Sequence, residues 1–287
     1  MNNPFLFDGP GVISFSGGRT SGYMLWRTLQ AHGGTLPDDV TVLFANTGKE
    51  MPETLDFVEA CSVNWDVPIV WIENRPRDAE RKKSHAVVTH ATASRNGEPF
   101  AALIAEKSYL PNPVARICTA ELKVRPMQRY LKSIGYTEWT TFIGMRADEP
   151  RRVARLSNQD YGSHETKEAP LAMVGVDKGA VGRFWKEQSF DLALPNMDGV
   201  TMHGNCDLCF LKGGNQKLAL IREKPERALW WIEQEKGKHM EHREQPIGGG
   251  GWFRKDAPSY QAMYDMAMGH GELFPFEDTL NDCGCTD

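Results

Sequence analysis

The chain has 287 residues, with 33 Lys and Arg against 38 Asp and Glu, a formal net charge of −5. A hydrophobic content of 40 per cent with 10 per cent aromatics excludes a disordered chain, which lacks the apolar residues a core needs. Six cysteines in this length are too sparse for a disulfide-stapled scaffold, and the acidic balance excludes a globally basic nucleic-acid surface while leaving room for a local cationic cleft.

The longest apolar runs, such as Val67-Pro68-Ile69-Val70-Trp71-Ile72, fall well below the roughly 18 residues of a membrane-crossing helix. Met1-Asn2-Asn3-Pro4-Phe5 lacks the charged start and apolar stretch of a signal peptide. The expected address is the cytoplasm, with no membrane partner. Cysteines stay reduced there, and clusters of them point to metal or redox chemistry.

In chain order, Gly11–Ser16 reads as a buried strand, followed by the turn Gly17-Gly18-Arg19-Thr20-Ser21 and a helix from about Ser21 to Ala31. Val40–Ala45 is a second strand, ended by Asn46-Thr47-Gly48. Pro52 and Glu53 open a helix, and Ile69–Ile72 is a third strand. Residues 75–110 break the rhythm with Arg75, Arg77, Arg81, Lys82 and Lys83. They read as an exposed insertion or as a lid that grips an anion. A helix over Thr119–Ser133 and a strand over Trp139–Gly144 resume the alternation. The expected fold class is α/β: a Rossmann-like parallel sheet with helices on both faces, in a nucleotide-binding domain over residues 1–160. Residues 161–287 form a helical, loop-rich C-terminal region. Helices are expected at Val176–Phe184, Asn215–Ile221, Pro225–Lys236 and Ser259–Met268, and Gly248–Gly251 reads as a linker.

The first strand-to-helix turn carries chemistry. Phosphate needs backbone N–H groups that it can approach closely, and Gly17 and Gly18 permit that. The following helix adds its positive end. Ser16, Thr20 and Ser21 offer hydroxyls and Arg19 a cation. The glycine spacing is neither that of a dinucleotide fingerprint nor that of a Walker-type loop.

Ser16-Gly17-Gly18-Arg19-Thr20-Ser21 resembles the pyrophosphate-binding PP-loop of the adenine nucleotide alpha hydrolases. It resembles more closely that of the phosphoadenosine phosphosulfate reductase family. The resemblance continues at Phe44–Thr54, Arg116–Lys123 and Ile143–Glu149. It implies a nucleotide lying across the carboxyl ends of the strands. Ser16 to Ser21 would hold phosphate, and Asn46, Thr47 and Gly48 would flank the nucleotide. Lys123, Arg146 and Arg152 would meet the anionic part of the substrate. Asn46 stands where many relatives carry Asp, which removes a charge from a candidate metal-ligand position.

Cys206-Asp207-Leu208-Cys209 has the two-residue spacing that lets two thiolates serve one metal or one disulfide. Cys118 lies upstream, and Cys283-Gly284-Cys285 lies near the C-terminus. Iron–sulfur adenylylsulfate reductases of the family join an upstream cysteine pair to a downstream Cys-x-x-Cys. The resemblance therefore implies a 4Fe-4S cluster on Cys118, Cys206, Cys209 and either Cys283 or Cys285; structural zinc is the alternative, which thiolate ligands equally permit. In the family's reductases a tail cysteine in Glu-Cys-Gly-Leu-His is the nucleophile. Here Asp282-Cys283-Gly284-Cys285 keeps Cys-Gly without Leu-His, so Cys283 is a candidate nucleophile, ligand or disulfide partner. Cys61, among Val58, Val63 and Trp65, reads as an inert core thiol.

Three functions fit these residues. The first is a PP-loop enzyme that cleaves ATP to AMP and pyrophosphate, with Mg2+, to activate a nucleic-acid or small-molecule acceptor in sulfur transfer, served by a sulfur-donor protein. The second is a sulfonucleotide reductase acting on phosphoadenosine phosphosulfate or adenylylsulfate. The third is a nucleotide- or nucleic-acid-binding module with structural zinc.

Overall fold

The computed structural model describes residues 3–77, 84–156, 164–197, 200–237 and 251–269. Its centre is a six-stranded sheet: β1 (Gly11–Phe15), β2 (Val40–Ala45), β3 (Ile69–Arg75), β4 (Ser84–Val88), β5 (Trp139–Ile143) and β6 (Glu165–Glu168), in the order β4-β3-β2-β1-β5-β6. All neighbours are parallel except β3 and β4. The chain runs outward from β1 to β4, then returns to place β5 on the other side of β1. That reversal opens a crevice at the carboxyl ends of β1 and β5, where open α/β sheets bind ligands.

Successive strand residues face opposite sides. Ile13, Phe15, Val42, Phe44 and Trp71 pack under α1 (Arg19–Ala31) and α2 (Pro52–Asn64) with Met24, Leu25, Leu55 and Phe57. Val12, Leu43 and Ile72 face α4 (Arg125–Ser133) through Leu131. Helices thus cover both faces of a mostly parallel sheet, as the alternation of elements implies. Cys61 is fully buried in the first core, and burial pushes its thiol pKa up, as expected of an inert core thiol.

Residues 75–110 correct the expectation of an exposed insertion. The third strand continues to Arg75, Ser84–Val88 pairs antiparallel with it, and α3 (Glu98–Lys107) buries Phe100, Leu103 and Ile104. Flanking charges masked a short apolar helix face. Arg81, Lys82 and Lys83, the centre of the lid reading, lie outside the described residues.

The predicted helix over Thr119–Ser133 divides in two. Thr119–Val124 is π-helical and α4 follows; such widened turns recur at functional sites. Beyond residue 145 come α5 (Pro150–Leu156), α6 (Pro170–Met173), α7 (Lys178–Lys186), a small hairpin of β7 (Asn196–Met197) and β8 (Val200–Thr201), α8 (Gly214–Glu223), α9 (Glu226–Glu235) and α10 (Tyr260–Ala267). Phe210, Trp231, Phe253 and Tyr260 stack among these last helices. The linker expected at Gly248–Gly251 lies outside the described residues except for Gly251.

Candidate active site

The turn after β1 is tied together by one hydroxyl. Ser21 Oγ accepts from Ser16 N–H (3.2 Å), Gly18 N–H (3.3 Å) and Ser16 Oγ (2.9 Å), and donates to Gly18 O (2.9 Å). Ser21 is therefore an organiser of the loop. Gly17 adopts φ +80°, and a Cβ there would lie 2.7 Å from Thr54 Cγ2; only glycine fits both conditions. A Cβ on Gly144 would come within 3.2 Å of Ser21 Cα, so glycine lets the end of β5 close on the start of α1. The first amides of α1 have no intrahelical acceptor, which suits an anion.

Arg146 leaves β5 and donates from Nη1 to Thr20 Oγ1 at 3.0 Å. Its Nε binds Asp148 at 2.9 Å, and its backbone N–H binds the Glu149 carboxylate at 2.9 Å. Two predicted site residues, Thr20 and Arg146, thus meet, and Lys178, Asn196 and Thr201 complete the cleft around them. Arg152 is buried and pairs with Glu149. Its Nε and Nη2 atoms have no hydrogen-bond partner among the described residues.

Arg19 is used differently from the expected phosphate cation. Its guanidinium binds Asp191 twice, at 2.7 and 2.9 Å, then Thr201 Oγ1 at 3.0 Å and the carbonyls of Leu192 and Leu194. It ties the residue 190s segment to the loop. No local pattern signals this contact, because Asp191 is 172 positions away. Lys123 lies half-buried in the π-helical segment, which packs against β3 and α3.

The loop after β2 is held by two buried carboxylates. Glu50 accepts from Thr47 N–H (3.0 Å) and Lys49 N–H (3.1 Å). Glu73 accepts from Asn46 Nδ2 (2.7 Å) and Ser94 N–H (2.7 Å). Asn46 Oδ1 accepts from Gly48 N–H at 3.1 Å. The Asn46 amide and both carboxylates are thus tied to the protein itself, an arrangement that does not fit a carboxylate magnesium site on this loop.

The Cys-x-x-Cys turn sits directly on that loop. Thr47 Oγ1 is 3.3 Å from Cys206 Sγ. Glu50 and Cys206 form an antiparallel bridge, and Asp207 N–H donates to Lys49 O at 2.7 Å. Asp207, between the two cysteines, pairs with Lys49 at 3.1 Å and accepts from Trp231 Nε1 at 2.8 Å. Lys212 Nζ donates to the carbonyls of Cys206 (2.8 Å) and Asp207 (2.7 Å). Burial pushes the Lys217 ammonium down to about 8, with Arg254 adding to the shift and Cys209 opposing it.

Among the described residues, no three or more His, Cys, Asp or Glu side chains gather into a metal site. Cys118, Cys206 and Cys209 do not form such a group of three among the described residues. Cys206 and Cys209 are buried in the main core, and Cys118 packs, partly buried, against that same core. Cys283 and Cys285, the candidate nucleophile and fourth ligand, lie outside the described residues.

No helix among the described residues is long and apolar enough to cross a membrane. The chain is 31% identical over 248 residues to the uncharacterized nin region protein ORF290 of Escherichia phage lambda, covering 82% of this chain and 78% of that protein. A solved phosphoadenylyl-sulfate reductase from Candida auris, a phosphate complex, is 17% identical; the match covers 68% of this chain and 83% of that one at a TM-score of 0.39. The family model of the phosphoadenosine phosphosulfate reductase domain matches residues 10–174. That span holds β1 to β6, the Ser16–Ser21 turn, the Thr47 loop and Arg146, and the chain belongs to the phosphoadenosine phosphosulfate reductase domain family.

Proposed function

We propose that this chain is a sulfonucleotide reductase. It binds an adenine nucleotide bearing a phosphosulfate group and releases sulfite with an adenosine phosphate. The observation that carries this reading is the 3.3 Å contact between Cys206 Sγ and Thr47 Oγ1. It seats a thiol beside the nucleotide loop, and reduction of sulfate sulfur by a thiol needs that proximity. The Ser16–Ser21 loop supplies backbone donors for one phosphate. Arg146, braced on Thr20, supplies a planar cation for the anion that leaves.

The second reading is ATP cleavage to AMP and pyrophosphate, activating an acceptor for sulfur transfer. The Ser-Gly-Gly-x-Thr-Ser turn favours it, since the same cradle suits a pyrophosphate leaving group. The experiment is a parallel assay of anaerobically purified protein. Phosphoadenosine phosphosulfate and adenylylsulfate are supplied with a small-molecule dithiol and sulfite is measured; ATP is supplied separately and pyrophosphate is measured. Sulfite with no pyrophosphate supports the reductase, and the reverse result replaces it with the second reading.

A further inference from the structure

We propose that Asn74 and Arg129 form a site for a phosphate group on the face of β3 opposite the Asn46 loop. It is separate from the Ser16–Ser21 turn and does not depend on the reductase reading.

The strand itself makes the place. β2 ends at Ala45, paired with Ile72, whereas β3 continues to Arg75 and pairs beyond Ile72 with β4. Successive side chains alternate between faces. Glu73 turns to Asn46, at 2.7 Å, on one side. Asn74 turns to Arg129 of α4 on the other, and Arg129 Nη2 donates to Asn74 Oδ1 at 2.9 Å. The end of β3 thus carries the loop after β2 on one face and the Asn74–Arg129 pair on the other.

That pair lacks an acceptor. Asn74 is 2% exposed, yet its Nδ2 has no hydrogen-bond partner among the described residues, and neither has the buried Nε of Arg129. Both atoms can only donate, and buried donors are rarely left unpaired. Nε and Nη2 share one edge of the guanidinium. Arg19 uses that same edge to grip both oxygens of Asp191, at 2.7 and 2.9 Å. Such an edge matches the oxygens of an anion.

Charge points the same way. Arg19, Arg146 and Arg152 each pair with a carboxylate. Arg129 has the neutral Asn74 amide as its partner. Of the acidic groups that act on Arg129, Glu121 is bonded to Arg125 and lies 3.7 Å from Lys107, and Glu106 lies 3.5 Å from Lys107. The cations Lys107, Arg125 and Arg129 therefore outnumber these two carboxylates by one. Burial lowers the Arg129 pKa against the pull of Glu121. His85, cross-strand from Asn74, is held down by burial and then by Arg129. A desolvated cation calls for a counter-ion, and a phosphate group supplies both the charge and the missing acceptor oxygens.

The test is equilibrium dialysis of the full-length protein against radiolabelled inorganic phosphate, alone, with saturating AMP, and with saturating adenosine 3′,5′-bisphosphate. With AMP present, wild type should hold phosphate that Arg129→Gln weakens at least tenfold, the loss expected when a charge-assisted hydrogen bond is removed. Asn74→Asp should bind none there, because its carboxylate takes the anion's place beside Arg129. That variant keeps the arginine paired, so it tests the site even where Arg129→Gln fails to fold. Phosphate excluded by the bisphosphate identifies the occupant as a second phosphate of the nucleotide; phosphate retained identifies it as free phosphate. Either result supports the site. Equal phosphate binding by wild type, Arg129→Gln and Asn74→Asp overturns it, as does the absence of bound phosphate in wild type under every condition. Sulfite release plays no part in these outcomes, so failure of the site and failure of the reductase reading are told apart.

Discussion

Lys49 and Asp207 form a buried ion pair at 3.1 Å that joins the loop after β2 to the Cys-x-x-Cys turn. The Lys49 ammonium also lies 4.9 Å from the centre of the Trp230 ring, and Asp207 takes a hydrogen bond from Trp231. Removing one partner strands the other charge in the core. Asp207→Ala should cost about 3–5 kcal/mol in chemical denaturation. Replacing both by apolar residues of similar size should cost less than the sum of the single changes. Equal and additive losses would show that the two charges do not act as a pair.

Arg146 spans from β5 to the first turn of α1 through Thr20. Charge-assisted hydrogen bonds are worth about 1.5–3 kcal/mol, and 1.4 kcal/mol is about tenfold in affinity. Arg146→Ala should therefore weaken binding of an adenine nucleotide by about ten- to a hundredfold in calorimetric titration. Arg146→Lys should recover little, since lysine lacks the planar fork. Unchanged affinity would remove Arg146 from the site.

Gly17 tests the loop's shape. Gly17→Ala forces a left-handed alanine, costing about 1–2 kcal/mol, and drives its Cβ to 2.7 Å from Thr54 Cγ2. Thermal unfolding should show the loss. Adding Thr54→Ser, which removes that methyl, should restore the steric part and leave the conformational part. No rescue would mean that the methyl contact is irrelevant.

The readable parts of this site are those whose chemistry is local. Ser16–Ser21 and Asn46–Gly48 each carry their motif within a few residues, and both stand at the carboxyl end of the strand that the pattern predicted. Arg19 was legible as a cation but not as a tether, since its partner Asp191 is set by the fold. Asp207 was hidden for the same reason, as its role depends on Lys49 and Trp231. The α3 helix was missed because Phe100, Leu103 and Ile104 make too short an apolar face among charges. The gathering of Cys118 with Cys206 and Cys209 rests on resemblance alone: all three lie in or against the main core, and among the described residues they form no group of three.

Glu235 gives a pH signature. Burial pushes its carboxyl from an ordinary 4.5 up to about 6, even though the N–H groups of Phe253 and Tyr260 donate to it. A folded-state value above the unfolded one means stability that is full below about pH 4.5 and is lost as pH rises through about 6. Glu235→Gln loses one acceptor at every pH but carries no such dependence. Its melting temperature relative to wild type should therefore rise between pH 4.5 and 7. A constant difference would contradict the assignment.

The most direct measurement is the sulfite released by anaerobically purified protein mixed with excess phosphosulfate nucleotide and a small-molecule dithiol. The account predicts sulfite release that depends on both the nucleotide and the dithiol. No sulfite, with steady release of pyrophosphate from ATP by the same preparation, would contradict it.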